Sequence, residues 1–241
     1  FVTASLAVKM AKAGYKVGRY ISPTIFSYRE RIQVNESYIS REDLIRLTEK
    51  VKAAGDQLLA EGRQHPTMFE METAIAFLYF AEQNCDLVVL EVGMGGRLDA
   101  TNVIRNTKVA VLASISMDHM GFLGNTLGEI AEHKAGIIKP GCTVVSASQQ
   151  PEAAVSVRKK AEQKGCELIC VEPEKIKIEK RGLEGQIFSY KEHAQVEIAL
   201  AGEYQFLNGA LALEVLDELK RKGYEISEEA LKAGMKKTVW L

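Results

Sequence analysis

Asp86-Leu-Val-Val-Leu-Glu91, followed at once by Val92-Gly-Met-Gly-Gly-Arg-Leu-Asp-Ala-Thr-Asn102, decides the fold. Four apolar residues in a row without alternation predict a strand covered on both faces, as in a parallel sheet. A charged residue closes that strand and a glycine-rich loop follows it. Open parallel sheets bind ligands outside the carboxyl ends of their strands, so Glu91 and its loop stand where chemistry is expected.

Working outward, runs of the same kind recur at Lys16–Ile21, Lys108–Ile115, Cys142–Ala147 and Glu167–Val171. Helical patterns separate them. Val2, Leu6, Met10 and Ala13 give helical spacing over 1–13, stopped by Gly14. Ser40 with Asp43 resembles a capping box, and Leu44, Leu47, Val51 and Leu58 mark one face of the helix behind it. Thr67 with Glu70, and Thr126 with Glu129, are full capping boxes for helices reaching about Gln83 and Gly136. Pro151 opens a helix that Gly165 closes. Residues 24–39 read as irregular, with Arg29–Arg31 in a loop.

The pattern changes after residue 171. Ile176, Ile178, Ile187, Val196, Ile198 and Leu200 alternate with polar residues, as antiparallel strands do, and Gly182 and Gly185 mark a turn. Helices over about 205–222 and 227–237 follow. The predicted fold is α/β: a mostly parallel sheet with helices on both faces, and a small antiparallel appendage near 172–200.

Composition excludes several classes. The chain has 241 residues, 46% hydrophobic and 26% charged, within the globular range, so disorder and collagen-like repeats are excluded. A net charge of −1 argues against bulk electrostatic binding to nucleic acid or anionic membrane. No apolar run approaches the ~18 residues of a membrane span. Lys9 and Lys12 interrupt the first helix, which does not read as a signal peptide. Cys85, Cys142, Cys166 and Cys170 form no CxxC pair and read as small buried hydrophobes in a reducing compartment. Phe1 starts inside a helical pattern and Trp240-Leu241 is an apolar end, so the chain reads as a piece of a longer protein.

Four places can carry chemistry. In the loop after Glu91, Gly93, Gly95 and Gly96 let backbone approach a ligand; the plain alternative is a turn with a solvated Glu. Ser116-Met-Asp-His-Met120 follows the next strand, so Asp118 and His119 can reach the same crevice as Glu91 and hold a divalent ion, or lie on the surface. Lys134 sits beside the small Ala135 and Gly136, where an inward-turned lysine needs a partner; a solvated lysine is the ordinary reading. Ser22-Pro23 ends the first strand, where a hydroxyl can reach phosphate or metal or simply make a turn. His65, His133 and His193 read as surface residues.

The stretches GYKVGRYISP (14–23), RERI (29–32), FEMETAIAFLYF (69–80), EVGMGGRLDATN (91–102), SISMDHMGFLGNTLGEIAEHKAGIIKPG (114–141) and GEYQFLNGALAL (202–213) together resemble the folylpolyglutamate synthases of the Mur ligase superfamily. The match runs through nearly the whole chain in the family's order. It implies a P-loop NTPase-like central domain that couples ATP hydrolysis to glutamate ligation. The acceptor is a folate, with dihydropteroate as a second one in bifunctional members. A carboxylate attacks the γ-phosphate, and the glutamate amine then attacks the resulting acyl phosphate.

By motif, the resemblance implies Ser22, Glu91 and His119 as magnesium ligands. Lys134 matches the lysine that carries a carbamate, and Lys134 and His119 are the implied catalytic residues. Gln205 and Asn208 match nucleotide contacts, and Leu98, Asp99, Ala100 and Thr101 match the pterin-side pocket. Thr24 and Tyr204 stand where the family often has His. The resemblance further implies that residues 1–241 are a truncated N-terminal ATP-binding domain. The family's phosphate-binding glycine loop then falls before Phe1 and the C-terminal glutamate-ligase domain after Leu241. The implied protein is a cytoplasmic monomer using ATP and Mg2+, with folate or dihydropteroate and L-glutamate as its substrates, and with no nucleic-acid or membrane partner. Two competing readings are a peptidoglycan-precursor or cyanophycin-type Mur ligase, and a metal-dependent hydrolase built on Glu91, Asp118 and His119. A fourth is a non-catalytic binder of nucleotide or folate.

Overall fold

The computed structural model describes residues 2–117 and 120–238. Helix α1 (Val2–Lys12) leads into strand β1 (Val17–Tyr20), then β2 (Ile32–Val34), β3 (Ser37–Tyr38), α2 (Arg41–Ala60), α3 (Met68–Glu82) and β4 (Leu87–Leu90). Next come β5 (Val109–Leu112), α4 (Met120–Leu123), α5 (Leu127–Lys134), β6 (Thr143–Ser146), α6 (Pro151–Gln163) and β7 (Leu168–Cys170). Strands β8 (Ile176–Lys180), β9 (Gln186–Tyr190) and β10 (His193–Ile198), then α7 (Tyr204–Arg221) and α8 (Glu228–Lys237), complete it.

The strands form three sheets, ordered β3-β2-β1-β4, β5-β6-β7 and β10-β9-β8. β1 runs parallel to β4, and β5, β6 and β7 are parallel throughout. β8–β10 are antiparallel, as the alternating pattern near 172–200 predicts.

Successive residues of each central strand enter different cores, which is why these strands read as unbroken apolar runs. Val145 faces the core formed with α1, α7 and the appendage, while Val144 faces the core under α5 and α6. On β4, Leu87 and Val89 pack toward the first of these, and Val88 and Leu90 toward a third core under α2 and α3. Helices therefore cover both faces. Among the described residues, no helix is long and apolar enough to cross a membrane.

Three expectations are corrected. Residues 24–39 are not irregular throughout: Ile32–Val34 and Ser37–Tyr38 form an antiparallel hairpin that extends the first sheet beyond β1. Its turn residues Asn35 and Glu36 both have positive φ (48° and 67°), and Glu is not a residue that advertises such a turn. The cysteines are not uniformly buried: Cys142 is, Cys85 and Cys166 are half-buried, and Cys170 is exposed at the end of edge strand β7. His193 is not a surface residue. It is 4% exposed, and its Nε2 lies 2.9 Å from Asp217 Oδ2 on α7.

One interruption matters for the site. Among the described residues β4 pairs only with β1, and β5 only with β6, so each presents an unpaired edge. A cavity of about 720 Å³ lies between them, lined by Leu87–Val92, Val109–Val111, Leu6 and residues of α7.

Candidate functional site

The site is built at the carboxyl ends of β1 and β4. Their register, Tyr20 opposite Leu90, places Ile21 beside Glu91 and Ser22 one residue on. The Glu91 N–H donates to Tyr20 O at 2.9 Å, so the ladder continues to the site itself. The Ser22–Pro23 peptide is cis. Burial pushes the Glu91 carboxyl up from its ordinary value, against the Ser22 backbone N–H and the Arg19 charge, which favour the ionised form. A half-buried carboxylate beside a serine hydroxyl is a hard-oxygen donor set, suited to Mg2+ or Ca2+. Among the described residues, no three His, Cys, Asp or Glu side chains converge into a closed metal cage. Asp118 and His119, the other two ligand candidates, lie outside the described residues.

No sequence pattern singles out Arg19. It is buried inside β1, and its guanidinium donates to Gln33 Oε1 at 2.6 Å. The loop after Ser22 is held by Glu30, whose carboxylate accepts the N–H groups of Ile25 and Phe26, each at 2.9 Å, and of Ser27. A capping box at Ser27 and Glu30 does this, and it lies in the segment read as irregular. Next to it Arg31 pairs with Glu72 at 3.0 Å, and Tyr28 donates to the same carboxylate at 2.7 Å. Burial and Glu72 push the Tyr28 hydroxyl up to about 12.

The glycine loop does not hang free. Arg97 N donates to His133 O at 3.0 Å, bringing the loop against the end of α5. A Cβ on Gly96 (φ 155°) would stand 2.8 Å from Lys134 O, and one on Gly136 only 2.5 Å from Arg97 Cα. Two backbones touch here, which only glycine permits. Asn102 fastens the contact: its Nδ2 donates to Arg97 O and Gly136 O, each at 3.1 Å, and its own carbonyl accepts from Lys139 Nζ at 2.8 Å. No spacing rule pointed to Asn102 or Lys139 as the fasteners.

The implied pocket residues Leu98–Thr101 divide. Leu98 is 87% exposed and available to a ligand. Asp99 organises the loop: Oδ2 accepts Met94 N at 2.9 Å, and Oδ1 accepts Thr101 N at 2.9 Å and Thr101 Oγ1 at 2.5 Å. Ala100 is half-buried and Thr101 buried. Lys134 is half-buried at the last position of α5, with its carbonyl against Gly96.

Gln205 and Asn208 lie one turn apart at the start of α7, joined by Asn208 Nδ2 donating to Gln205 Oε1 at 3.1 Å. Gln186 anchors the preceding loop by donating to Leu200 O and Gly202 O. The cavity between β4 and β5 brings Asn208 together with Glu91, Thr101 and Asn102 on one lining. Ser22, Gln205 and Lys134 are outside that lining.

Comparison with known proteins places the chain in a family and a fold. Residues 36–216 match the family model of the Mur ligase middle domain. The dihydrofolate synthase/folylpolyglutamate synthase of Bacillus subtilis is 39% identical over 238 residues, covering 96% of this chain and 55% of the relative. A folylpolyglutamate synthase from Thermotoga maritima superposes with a TM-score of 0.89 at 33% identity, covering all of this chain and 55% of that one. The FPGS–AMPPCP–folate complex superposes at 0.92 with 32% identity, covering 99% of this chain and 60% of that one. The chain spans a little over half the length of the curated relatives it matches. With three quarters of its residues inside the family model, the chain belongs to the Mur ligase middle-domain family.

Proposed function

We propose that the protein carrying this chain is an ATP-dependent ligase that joins L-glutamate to the carboxylate of a reduced folate, with dihydropteroate as a second acceptor. The observation that carries the reading is the Glu91–Ser22 donor pair at neighbouring strand ends, in a chain that superposes on an FPGS–AMPPCP–folate complex at a TM-score of 0.92.

In this reading Glu91, Ser22 and His119 hold Mg2+, which screens the charge of the transferring phosphoryl group. The acceptor carboxylate attacks the γ-phosphorus of ATP, and ADP leaves. The glutamate amine then attacks the acyl phosphate carbon and expels inorganic phosphate. Gln205 and Asn208 contact the nucleotide. The loop around Leu98 and Asp99 borders the pterin, with Leu98 supplying apolar surface. Lys134, held against that loop, carries a carbamate and so places a negative group near the metal. The cavity of about 720 Å³ between the edges of β4 and β5 suits one extended segment. We place the phosphate-binding loop and the glutamate-side domain in sequence outside these 241 residues. The protein acts in the cytoplasm as a monomer.

The test is ADP release by the intact gene product with ATP, Mg2+ and glutamate. Release with tetrahydrofolate alone supports a dedicated polyglutamylating enzyme, and release with dihydropteroate as well supports the bifunctional form. Release with neither acceptor refutes the folate reading.

A further inference from the structure

Cys142 and Cys166 occupy matching places on neighbouring strands. The parallel register pairs Val144 with Leu168, and two residues back it sets Cys142 opposite Cys166 on the same face. Neighbouring parallel strands are about 4.8 Å apart, inside the roughly 4.4–6.8 Å that disulfides span between Cα atoms. The two sulfurs are already 3.9 Å apart. Cys142 is 3% exposed, whereas Cys166 is half-buried and reachable from solvent.

The pair also sits beneath the fastening of the glycine loop. Cys166 Sγ donates to Lys139 O at 3.2 Å, and Lys139 Nζ in turn donates to Asn102 O at 2.8 Å. Asn102 then ties Arg97 to Gly136. A chain of three residues therefore runs from the thiols to the backbone contact that seats Lys134.

We propose that Cys142 and Cys166 are a redox-modification site: they close to a reversible disulfide with a low-molecular-weight disulfide as oxidant, and closure loosens the Lys139–Asn102 fastening of the glycine loop. The more accessible partner reacts first. Cys166 loses its proton to solvent, and its thiolate attacks one sulfur of oxidised glutathione, expelling one glutathione thiolate and leaving a mixed disulfide. Cys142 then loses its proton and attacks the Cys166 sulfur, expelling the second glutathione thiolate. Two protein thiols are oxidised and one glutathione disulfide is reduced. Burial pushes the Cys142 thiol up, consistent with its acting second. The S–H donor to Lys139 O disappears in the product. The inference is independent of the ligase reading, because its chemistry uses neither ATP nor folate.

The test treats the intact gene product with oxidised glutathione and digests it with trypsin without reduction. Cys142 falls in the peptide 135–158, since the Lys139–Pro140 bond resists trypsin, and Cys166 in the peptide 165–175. The expected product is these two peptides linked, two hydrogens lighter than their sum, and separated by dithiothreitol. Cys170 shares the second peptide, so Cys170→Ser must keep the link and Cys166→Ser must abolish it. Glutathione adducts alone, or a link that survives Cys166→Ser, would overturn the site. Hydrogen exchange over residues 97–102 is the second readout. It is expected to be several-fold faster in the oxidised wild type and restored on reduction, and unchanged exchange would overturn the coupling.

Discussion

At the scale of the residue, Glu91 is a carboxylate kept by burial in a place that disfavours its charge. Its folded-state pKa is above the unfolded value, so the native state binds more protons across that window. Stability from this group is present below the unfolded carboxyl range near 4.3 and is lost as pH rises through the folded value. Glu91→Gln should therefore make the metal-free protein more resistant to urea at pH 7 than wild type, with the difference shrinking toward pH 4. In magnesium titrations the wild type should gain thermal stability and the variant should not. Equal urea midpoints at both pH values would contradict the burial argument. Gly136 offers a steric counterpart. A Cβ there meets Arg97 Cα and Cβ at 2.5 Å, and neither is the yielding tip of a side chain. Gly136→Ala should cost about 2–3 kcal/mol in chemical denaturation, the upper part of the usual overpacking range, while Gly141→Ala, with nothing within 4 Å, serves as the comparison for left-handed backbone strain alone. Glu91 and the glycines were legible, because charge after an apolar run and clustered glycines are local patterns. Arg19 and Asn102 were not. A buried arginine in a strand and an asparagine bridging one carbonyl five positions back and another 34 positions ahead look like any other polar letters until the chain is folded.

At the scale of the element, helix starts were the most readable feature. Thr67 with Glu70 and Thr126 with Glu129 both form full reciprocal boxes. Ser40 accepts from Asp43 N at 2.9 Å, but the returning half is missing, since Asp is one methylene shorter than Glu and instead accepts from the Ser40 hydroxyl. The box on α5 has a consequence at the site, because this eight-residue helix carries Lys134 and the carbonyls that meet Gly96. So short a helix has little stability of its own. Thr126→Ala should cost about 1 kcal/mol in stability and should speed hydrogen exchange across both 127–134 and 93–102, whereas Ser227→Ala, which removes the cap of α8, should leave the loop's exchange alone. The hairpin of β2 and β3 was unreadable for the opposite reason: strands of three and two residues carry no period, and their register is set by β1. Helix α1 hides another unreadable feature. Lys9 is wholly buried against α8, with its amine lacking a hydrogen-bond partner among the described residues, and Gly234 leaves room for its stem. Burial lowers its pKa well below the ordinary value, only partly countered by Asp217. With a lowered folded pKa, the native state sheds a proton first, and stability grows as pH rises from the folded toward the unfolded value. Lys9→Met should raise the melting temperature at pH 7 and remove that pH-dependent gain, and a variant less stable than wild type would refute the burial cost.

At the scale of the molecule, the alternation of strands and helices followed by a meander was enough to reach an α/β sheet with an appendage. It was not enough to reveal that the sheet is interrupted between β4 and β5. The reason is physical: strand order is a property of pairing between distant segments, and apolar runs look alike whichever neighbour they take. The interruption leaves the two central strands each bonded on one side only, although their side chains enter cores on both faces. The half-exposed residues of β4 contrast with the wholly buried β6, which has a partner on each side. An unpaired edge is costly in a sheet interior and is normally filled or covered. If a segment from outside these 241 residues lies between β4 and β5, it supplies that pairing and brings adjoining sequence into the cavity that Glu91, Thr101 and Asn208 all line. Amides of β4 and β5 should then exchange far more slowly in the intact gene product than in the 241-residue chain alone, while those of β6 change little. The isolated chain should also release no ADP under conditions where the intact protein does. Equal protection of β4 and β5 in both forms would mean that the cavity is a true crevice, open in the intact gene product and available to ligand along its whole length.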